Sequence, residues 1–316
     1  MRSRTLFGAF TLVAVFVFAA CGSANTQSPA ATAAPATTTD AMPTSMPATG
    51  SSMPMDSSMP MDSSMPAGTN PMASDTMSTD AMGMSDAAPA KGLTLQLATS
   101  TFASGQQAEV SFKVVGSDGS TVKDYQVEQT KELHLVLVRS DLTGYQHIHP
   151  TRASDGTWSI PVTFAKGGTY RMVADFVPVI NGSATGRTAV TTDVIVTGPG
   201  SDTALPPVAT SAVVDGYTVT IAGSLSSSAE STLTFAVTGS AGKPTVLEPY
   251  LGAFGHLVAF AQSDRAYTHI HPNTADENMG SLTFVGQVAA PGLHRLFMQF
   301  AAAGSVHTAE FTINAS

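Results

Sequence analysis

Six of the eight histidines fall into one spacing that occurs twice along the chain. In each copy a histidine is followed thirteen residues later by a second one, and a third follows two residues after that, directly before a proline. The residues are His134, His147, His149, His256, His269 and His271. Neutral imidazole is a good ligand for Zn²⁺ and for copper ions. The spacing therefore marks one candidate metal site in each copy.

A hairpin would bring the three histidines of a copy to one face of a sheet. Asp141 and Gly144 are typical turn residues, and pairing them predicts the register of the two flanking strands. In that register His149 lies opposite Val136, and His134 is its diagonal neighbour. Because side chains two residues apart in a strand share a face, all three imidazoles point to the same side. The same reasoning groups the histidines of the second copy.

Three roles stay open for these histidines: a metal site, which could have three or two histidine ligands, a structural contact, and a surface for a ligand or partner. A single ion bound by all three needs bent strands, because alternate side chains of a straight strand are about 6–7 Å apart. An ion bound by His134 and His149 alone is easier to build. The imidazoles could instead hydrogen-bond to backbone carbonyls and fix the hairpin, or form a surface for a ligand or partner. The presence of all three histidines in both copies suits a metal-binding role and a structural role.

A methionine-rich segment is a second candidate for metal chemistry. Eleven of the fifteen methionines lie between positions 42 and 84, several of them as Met-x-Met pairs. Thioether sulfur is a soft ligand that prefers Cu(I), and methionine is readily oxidised. The segment is therefore a candidate soft-metal or oxidant-scavenging tail, and the alternative is drift of a repeated Ser-Met-Pro-Met-Asp unit. The clearest candidate ligands are Met53, Met55, Met59 and Met61.

The N-terminus has the features of a bacterial secretion signal. Arg2 and Arg4 precede an apolar run over 6–20, which ends in small residues directly before Cys21. A cysteine at this position is similar to the bacterial lipobox, and that resemblance implies that Cys21 is lipidated. The alternative is an ordinary cleaved signal. We expect a cell-envelope protein that lipid anchors to the outer face of the membrane.

The composition argues against several other functions. The net charge is −9 with only 14 Lys and Arg residues, so no basic surface for nucleic acid is expected. Cys21 is the single cysteine, which excludes an intrachain disulfide and a cysteine-based metal cluster. The sequence contains no serine nucleophile elbow, HExxH motif or Gly-rich phosphate loop. We therefore expect a protein that is not an enzyme, and the sequence names no protein partner.

The segments of the chain differ sharply in composition. Residues 1–20 are the predicted signal peptide, and residues 21–90 are a predicted disordered tether, because Ala, Thr, Ser, Pro and Met cannot bury enough apolar surface. Residues 91–198 and 213–316 each contain seven short apolar or β-branched runs, with a linker at 199–212. The predicted fold class is all-β, with two tandem immunoglobulin-like β-sandwich domains related by an internal repeat.

The histidine segments resemble a known family. The phrases from His134 to Pro150 and from His256 to Pro272 are similar to those of secreted bacterial proteins with heavy-metal-associated or YtkA-like β-sandwich domains. The resemblance covers about residues 91–314 and implies β-sandwich domains and metal binding. We interpret the chain as a lipid-anchored metal-binding protein, with copper favoured and zinc as the other candidate. The alternative is a structural or adhesive surface module whose histidines have a packing role.

Overall fold

A computed structural model describes residues 92–316, and these residues form an all-β structure. No helix in this range is long and apolar enough to cross a membrane. The predicted signal peptide and most of the tether lie outside the described residues. The same holds for the lipidation site and the candidate tail ligands, which are Cys21, Met53, Met55, Met59 and Met61.

The first domain packs two sheets against each other. One sheet consists, in spatial order, of β1 (Thr94–Leu97), β3 (Gln107–Val115), β8 (Trp158–Thr163) and β7 (Thr151–Arg152). The other consists of β2 (Thr101–Ala103), β11 (Thr188–Thr197), β9 (Gly168–Ile180), β5 (Leu133–Arg139) and β6 (Gln146–Ile148). Two short strands, β4 (Asp124–Gln126) and β10 (Ser183–Ala184), also pair with β9. Phe112 and Trp158 from the first sheet meet Leu135 and Met172 from the second in the core.

The second domain repeats this architecture with its two layers joined. Its spatial order is β12 (Ser211–Val214), β13 (Tyr217–Gly223), β14 (Ser231–Thr238), β17 (Ser281–Gly286), β16 (Tyr267–Asp276), β15 (Gly255–Ala261), β18 (Gly292–Ala302) and β19 (Ser305–Ala315). The first half of β16 pairs with β15, and the second half pairs with β17. The strand changes partner between Ile270 and His271, so it passes from one layer to the other, and the register with β17 shifts between Pro272 and Thr274.

The strands that carry His134 and His256 are buried along their whole length. One face of β5 and of β15 packs into the core of its own domain, and the other face packs against the other domain. Val136 of β5 joins Val258 of β15 and Phe297 of β18 in a hydrophobic cluster shared by both domains. Burial on two faces explains why these strands are continuous apolar runs instead of alternating ones.

The observed strands confirm the predicted fold class, and a strand lies within each predicted run. The sequence analysis missed β12, which begins at Ser211, inside the segment predicted as a linker. β12 and β13 form a hairpin around Asp215 and Gly216, whose φ angles are 48° and 85°. An Asp-Gly pair favours this two-residue turn, but the Pro/Ser/Thr-rich sequence before it obscured the strand signal.

The predicted register of the first histidine hairpin is wrong by two residues. β5 and β6 pair Val136 with His147, whereas the prediction placed His149 opposite Val136. A shift by an even number of residues keeps the three histidines on one face, because side chains alternate along a strand. The shift also brings His149 beside His134 instead of diagonal to it.

The turn itself causes this shift. It closes at Arg139, whose backbone N–H donates to the carbonyl of Thr143 at 2.9 Å, so Asp141 lies inside the turn and does not pair with Gly144. Leu142 adopts a left-handed backbone with φ of 60°. A left-handed leucine is uncommon, and no local sequence signal marks it.

Candidate metal centre

The first three histidines converge where the hairpin of the first domain faces the second domain. His134 lies on β5 and is buried, and His147 lies on β6. His149 follows β6 directly and precedes Pro150, where the chain passes from one sheet to the other to form β7. Proline cannot donate a ladder hydrogen bond, and here β6 ends, whereas at the equivalent Pro272 the strand β16 continues. This break supplies the bend that a site made of all three histidines requires.

The ring nitrogens of the three histidines lie close together. His134 Nδ1 is 3.0 Å from His147 Nε2 and 3.2 Å from His149 Nε2. One nitrogen from each ring belongs to a set in which all atoms lie within 4.8 Å of one another. Within the described part of the chain, this is the one group of three or more His, Cys, Asp or Glu side chains that meets that distance.

Hydrogen bonds on the outer nitrogens fix where the protons lie. His134 Nε2 is 3.1 Å from the carbonyl oxygen of Glu128, and His147 Nδ1 is 2.8 Å from Oε1 of Gln299. Because a carbonyl oxygen only accepts, each of these nitrogens must carry the hydrogen. A neutral imidazole has one N–H, so His134 Nδ1 and His147 Nε2 both present lone pairs. Two lone pairs therefore face each other across 3.0 Å.

Protonation does not relieve this contact near neutral pH. Burial, followed by the neighbouring His134 ring, lowers the pKa of His147 and of His149 to about 3. Burial also lowers the pKa of His134. The rings are therefore neutral at pH 7, and the place where the lone pairs of His134 Nδ1 and His147 Nε2 meet favours a cation.

The arrangement fits a transition-metal ion. Ligands about 2.0–2.1 Å from a tetrahedral Zn²⁺ are about 3.3–3.4 Å apart, and the ring centres of two bound imidazoles are then about 5 Å apart. The three ring-centre separations are 5.2, 5.0 and 4.9 Å. The hydrogen bonds from His134 and His147 to oxygen atoms are those that commonly orient histidine ligands of metals.

The second copy does not assemble the same cluster. His256 Nε2 donates to the carbonyl of Tyr250 at 2.7 Å, as His134 does to Glu128. However, His271 Nε2 lies 3.5 Å from Nη1 of Arg187, whereas Nε2 of its counterpart His149 lies 3.2 Å from His134 Nδ1. The sequence-based expectation of two matching three-histidine groups is therefore not met by the geometry of the described residues.

A buried ion pair from the first domain accounts for this difference. The Asp175 carboxylate accepts from Arg187 Nε at 2.7 Å and from the Tyr267 hydroxyl at 2.8 Å. His269 Nδ1 lies 2.9 Å from Asp175 and 2.6 Å from Arg187 Nη2. Although burial raises the pKa of the Asp175 carboxyl, the charge of Arg187 holds it well below its usual range. The guanidinium thus already places a positive charge beside His269 and His271.

The contacts between the domains are reciprocal. His147 of the first domain meets Gln299 of the second, and His269 of the second meets Asp175 of the first. The repeat aligns Asp175 with Gln299, so the same two positions meet in both directions. Arg187 was missed because it lies just before β11, outside every repeated phrase, and no local signal marks a contact with a distant domain.

Among solved structures the chain has remote similarity to bacterial adhesins. For the Escherichia coli adhesin FdeC, identity is 15% and the TM-score is 0.23, over 73% of this chain and 66% of that chain. For invasin, a bacterial integrin-binding protein, identity is 15% and the TM-score is 0.21, and the match covers 71% of this chain and 39% of that chain. For the adhesin InvE of Yersinia pseudotuberculosis, identity is 14% and the TM-score is 0.21, and the match covers 70% of this chain and 58% of that chain. The chain thus spans less than two thirds of each, and at these TM-scores the similarity carries no argument about function.

No curated protein matches the sequence. One family model matches the chain twice, over residues 88–194 and 212–316, and its description is a domain of unknown function, DUF8832. The two matches contain the two histidine repeats and together span most of the chain. The chain therefore belongs to the DUF8832 family and carries two copies of its domain.

Proposed function

We propose that this protein binds one transition-metal ion, copper or zinc, through His134, His147 and His149. The observation that carries the proposal is the pair of lone pairs that face each other across 3.0 Å between His134 and His147. Two acceptors at this distance repel each other unless a cation or a hydrogen-bond donor lies between or beside them. A bound ion would turn this repulsion into coordination.

The ligand set narrows the choice of metal. Three neutral imidazoles suit Zn²⁺ and copper ions, whereas Mg²⁺ and Ca²⁺ prefer oxygen ligands. The methionine tail with Met53, Met55, Met59 and Met61 would favour Cu(I), because thioether sulfur is soft. Copper is therefore the metal we favour, with the tail capturing the ion and the histidines holding it. In this proposal the protein handles metal at the cell envelope without enzymatic activity, attached by lipid at Cys21.

A second candidate function rests on one observation. His134 and His256 both donate from Nε2 to a carbonyl six residues earlier, Glu128 and Tyr250 respectively. A hydrogen bond repeated in both copies is typical of histidines that fix a loop onto a strand. This contact favours a structural or adhesive surface module, in which the histidines stabilise the domains and no metal binds.

Metal titration of the full-length chain separates the two functions. We expect one ion of Zn²⁺ or Cu²⁺ to bind per chain, and binding to be lost when His134, His147 and His149 are all changed to glutamine. A His294→Gln variant is the control, because His294 bonds the backbone of its own domain. Cu(I) is titrated into the same proteins and into a variant with leucine at the four tail methionines. Absence of Zn²⁺ and Cu²⁺ binding by the unchanged chain would reject the histidine site and favour the surface module.

A further inference from the structure

We propose that His256 of the second domain is the fourth nitrogen ligand, so that the ion joins the two domains. This inference rests on the proposed function of the first three histidines. His256 is only 1% exposed, and its ring centre lies 6.0 Å from that of His147. The site is thus bordered by an imidazole that the sequence analysis assigned to a separate group.

The protonation of His256 leaves one nitrogen free to bind a metal. Its Nε2 is 2.7 Å from the carbonyl oxygen of Tyr250 and must donate to it, so Nδ1 carries the lone pair. That Nδ1 is buried and has no hydrogen-bond partner among the described residues. Buried nitrogens without a partner are uncommon, and an ion that a structure does not contain is one of their causes.

One ring separation, between His256 and His147, is close to those within the cluster. Ring centres within the cluster are 4.9 to 5.2 Å apart. The 6.0 Å between the ring centres of His256 and His147 exceeds this spacing by roughly 1 Å, and coordination also requires His256 to approach His134 and His149. Zinc sites that hold an ion without an open position are usually four-coordinate, and three histidines supply only three ligands.

Another buried nitrogen without a partner, His269 Nε2, is a weaker candidate. The other nitrogen of that ring lies 2.6 Å from Nη2 of Arg187. A metal ion bound to His269 would therefore lie close to a second positive charge. Among the described residues no cationic side chain hydrogen-bonds to His256, although, after burial, the charge of Arg187 also contributes to the lowered pKa of that ring.

The second domain also orients one of the first three ligands. Gln299 accepts the hydrogen bond from His147 Nδ1 at 2.8 Å and thereby leaves Nε2 free for the metal. Its own amide nitrogen donates to the hydroxyl of Thr308 at 3.2 Å, which fixes the orientation of the amide. One domain thus supplies three ligands, and the other supplies a positioning residue and the fourth ligand.

Histidine side-chain ¹⁵N NMR of the full-length chain during Zn²⁺ titration tests this assignment directly. We expect the metal to shift four nitrogens, which are His134 Nδ1, His147 Nε2, His149 Nε2 and His256 Nδ1. A shift of the first three alone would reject His256 as a ligand and leave the proposed function intact. If none shifts, both proposals fail.

Affinity measurements provide a second test. His256→Ala should weaken Zn²⁺ binding about 100-fold or more, because loss of a ligand should exceed the 10–100-fold effect of losing an orienting residue. His294→Ala, which removes another buried histidine of the second domain, should leave the affinity unchanged. Equal affinities of the His256→Ala variant and the unchanged chain would overturn the proposal. Because the NMR test uses the unchanged chain, a variant that fails to fold does not prevent a decision.

Discussion

The proton positions on single imidazoles decide what the histidine cluster can bind. His134 and His147 each use their outer nitrogen to donate to an oxygen, which directs the inner nitrogens toward each other as acceptors. A ring with the opposite tautomer would present N–H at the same place and repel a cation. Residues that hold these outer hydrogens should therefore control metal affinity without touching the ion.

Gln299 offers the clearest test of this control. Gln299→Leu removes the acceptor for His147 Nδ1, so Zn²⁺ affinity should fall about 10–100-fold, as is typical when an orienting hydrogen bond is lost. Gln299→Glu should retain the affinity, because a carboxylate oxygen accepts the same bond from His147 Nδ1. Gln287→Leu is the control, since the side chain of Gln287 donates to the backbone of Ser227 in its own domain. Isothermal titration calorimetry measures each affinity, and equal affinity of Gln299→Leu and the unchanged chain would contradict the expectation.

Arg187 should matter for stability more than for metal binding. Arg187→Met leaves Asp175, only 1% exposed, without its cation, and removal of one partner from a buried pair costs about 3–5 kcal/mol. The double change Asp175→Asn with Arg187→Met should recover most of this loss, because no unpaired charge remains. Arg265→Met breaks a partly exposed pair with Asp193 and should cost about 1 kcal/mol or less. Urea unfolding measures the three variants, and a cost for Arg187→Met no greater than that for Arg265→Met would contradict this account.

Among the elements, the histidine hairpin shows what sequence could and could not predict. Its strands were predictable because β-branched and apolar runs stand between turn residues. Its register was not, because the left-handed backbone at Leu142 has no local signal. The cluster of the first copy depends on the break at Pro150, which the proline alone does not predict, because β16 continues past the equivalent Pro272. The failure of the second copy to assemble depends on Arg187, a contact that no local pattern contains.

The turn of this hairpin can be tested apart from the ligands. Gly144 has φ of 64°, and a Cβ there would lie 3.4 Å from the Tyr170 ring. Gly144→Ala should cost about 1–2 kcal/mol of stability and should also weaken metal binding, because His147 follows three residues later. Gly216→Ala is the matched control: its φ is 85° with no atom within 4 Å of the added Cβ, and it lies in a turn of the second domain. The Gly216→Ala variant should lose stability but keep its metal affinity. A loss of metal affinity in both variants would show that Gly144→Ala does not act through the neighbouring His147.

The metal-free molecule as a whole should become less stable in acid. The pKa of His147 is lowered to about 3 by burial and by His134, whereas the unfolded value is about 6.5. Between these values the unfolded chain binds a proton that the folded chain does not, so stability falls as pH falls, by up to about 1.4 kcal/mol per pH unit. Above about pH 6.5 this residue contributes no pH dependence.

Urea unfolding between about pH 7 and about pH 4, in the presence of a chelator, measures this dependence. His147→Gln removes the titrating ring but keeps an amide that can donate to Gln299. Its stability should fall less steeply in acid than that of the unchanged chain. Parallel slopes for the two proteins would show that His147 is not the group responsible.

The packing of the two domains could not be predicted from the repeat alone. β5 and β15 read as buried strands, and the sequence does not distinguish burial inside one sandwich from burial against a second one. Only the shared cluster around Val136, Val258 and Phe297 shows that the outer faces of these strands meet the other domain.

The reciprocal contact, in which position 147 meets 299 and position 269 meets 175, has the form of an isologous dimer interface. A dimer of identical chains must carry the same side chain at both equivalent positions, so it could present two carboxylates or two amides but not one of each. Fusion of two copies in one chain removes that constraint. Asp175 and Gln299 are a mixed pair of this kind. Where the position is Asp175, the carboxylate pairs with Arg187 beside His269, and where it is Gln299, the amide accepts from His147 and brings no charge.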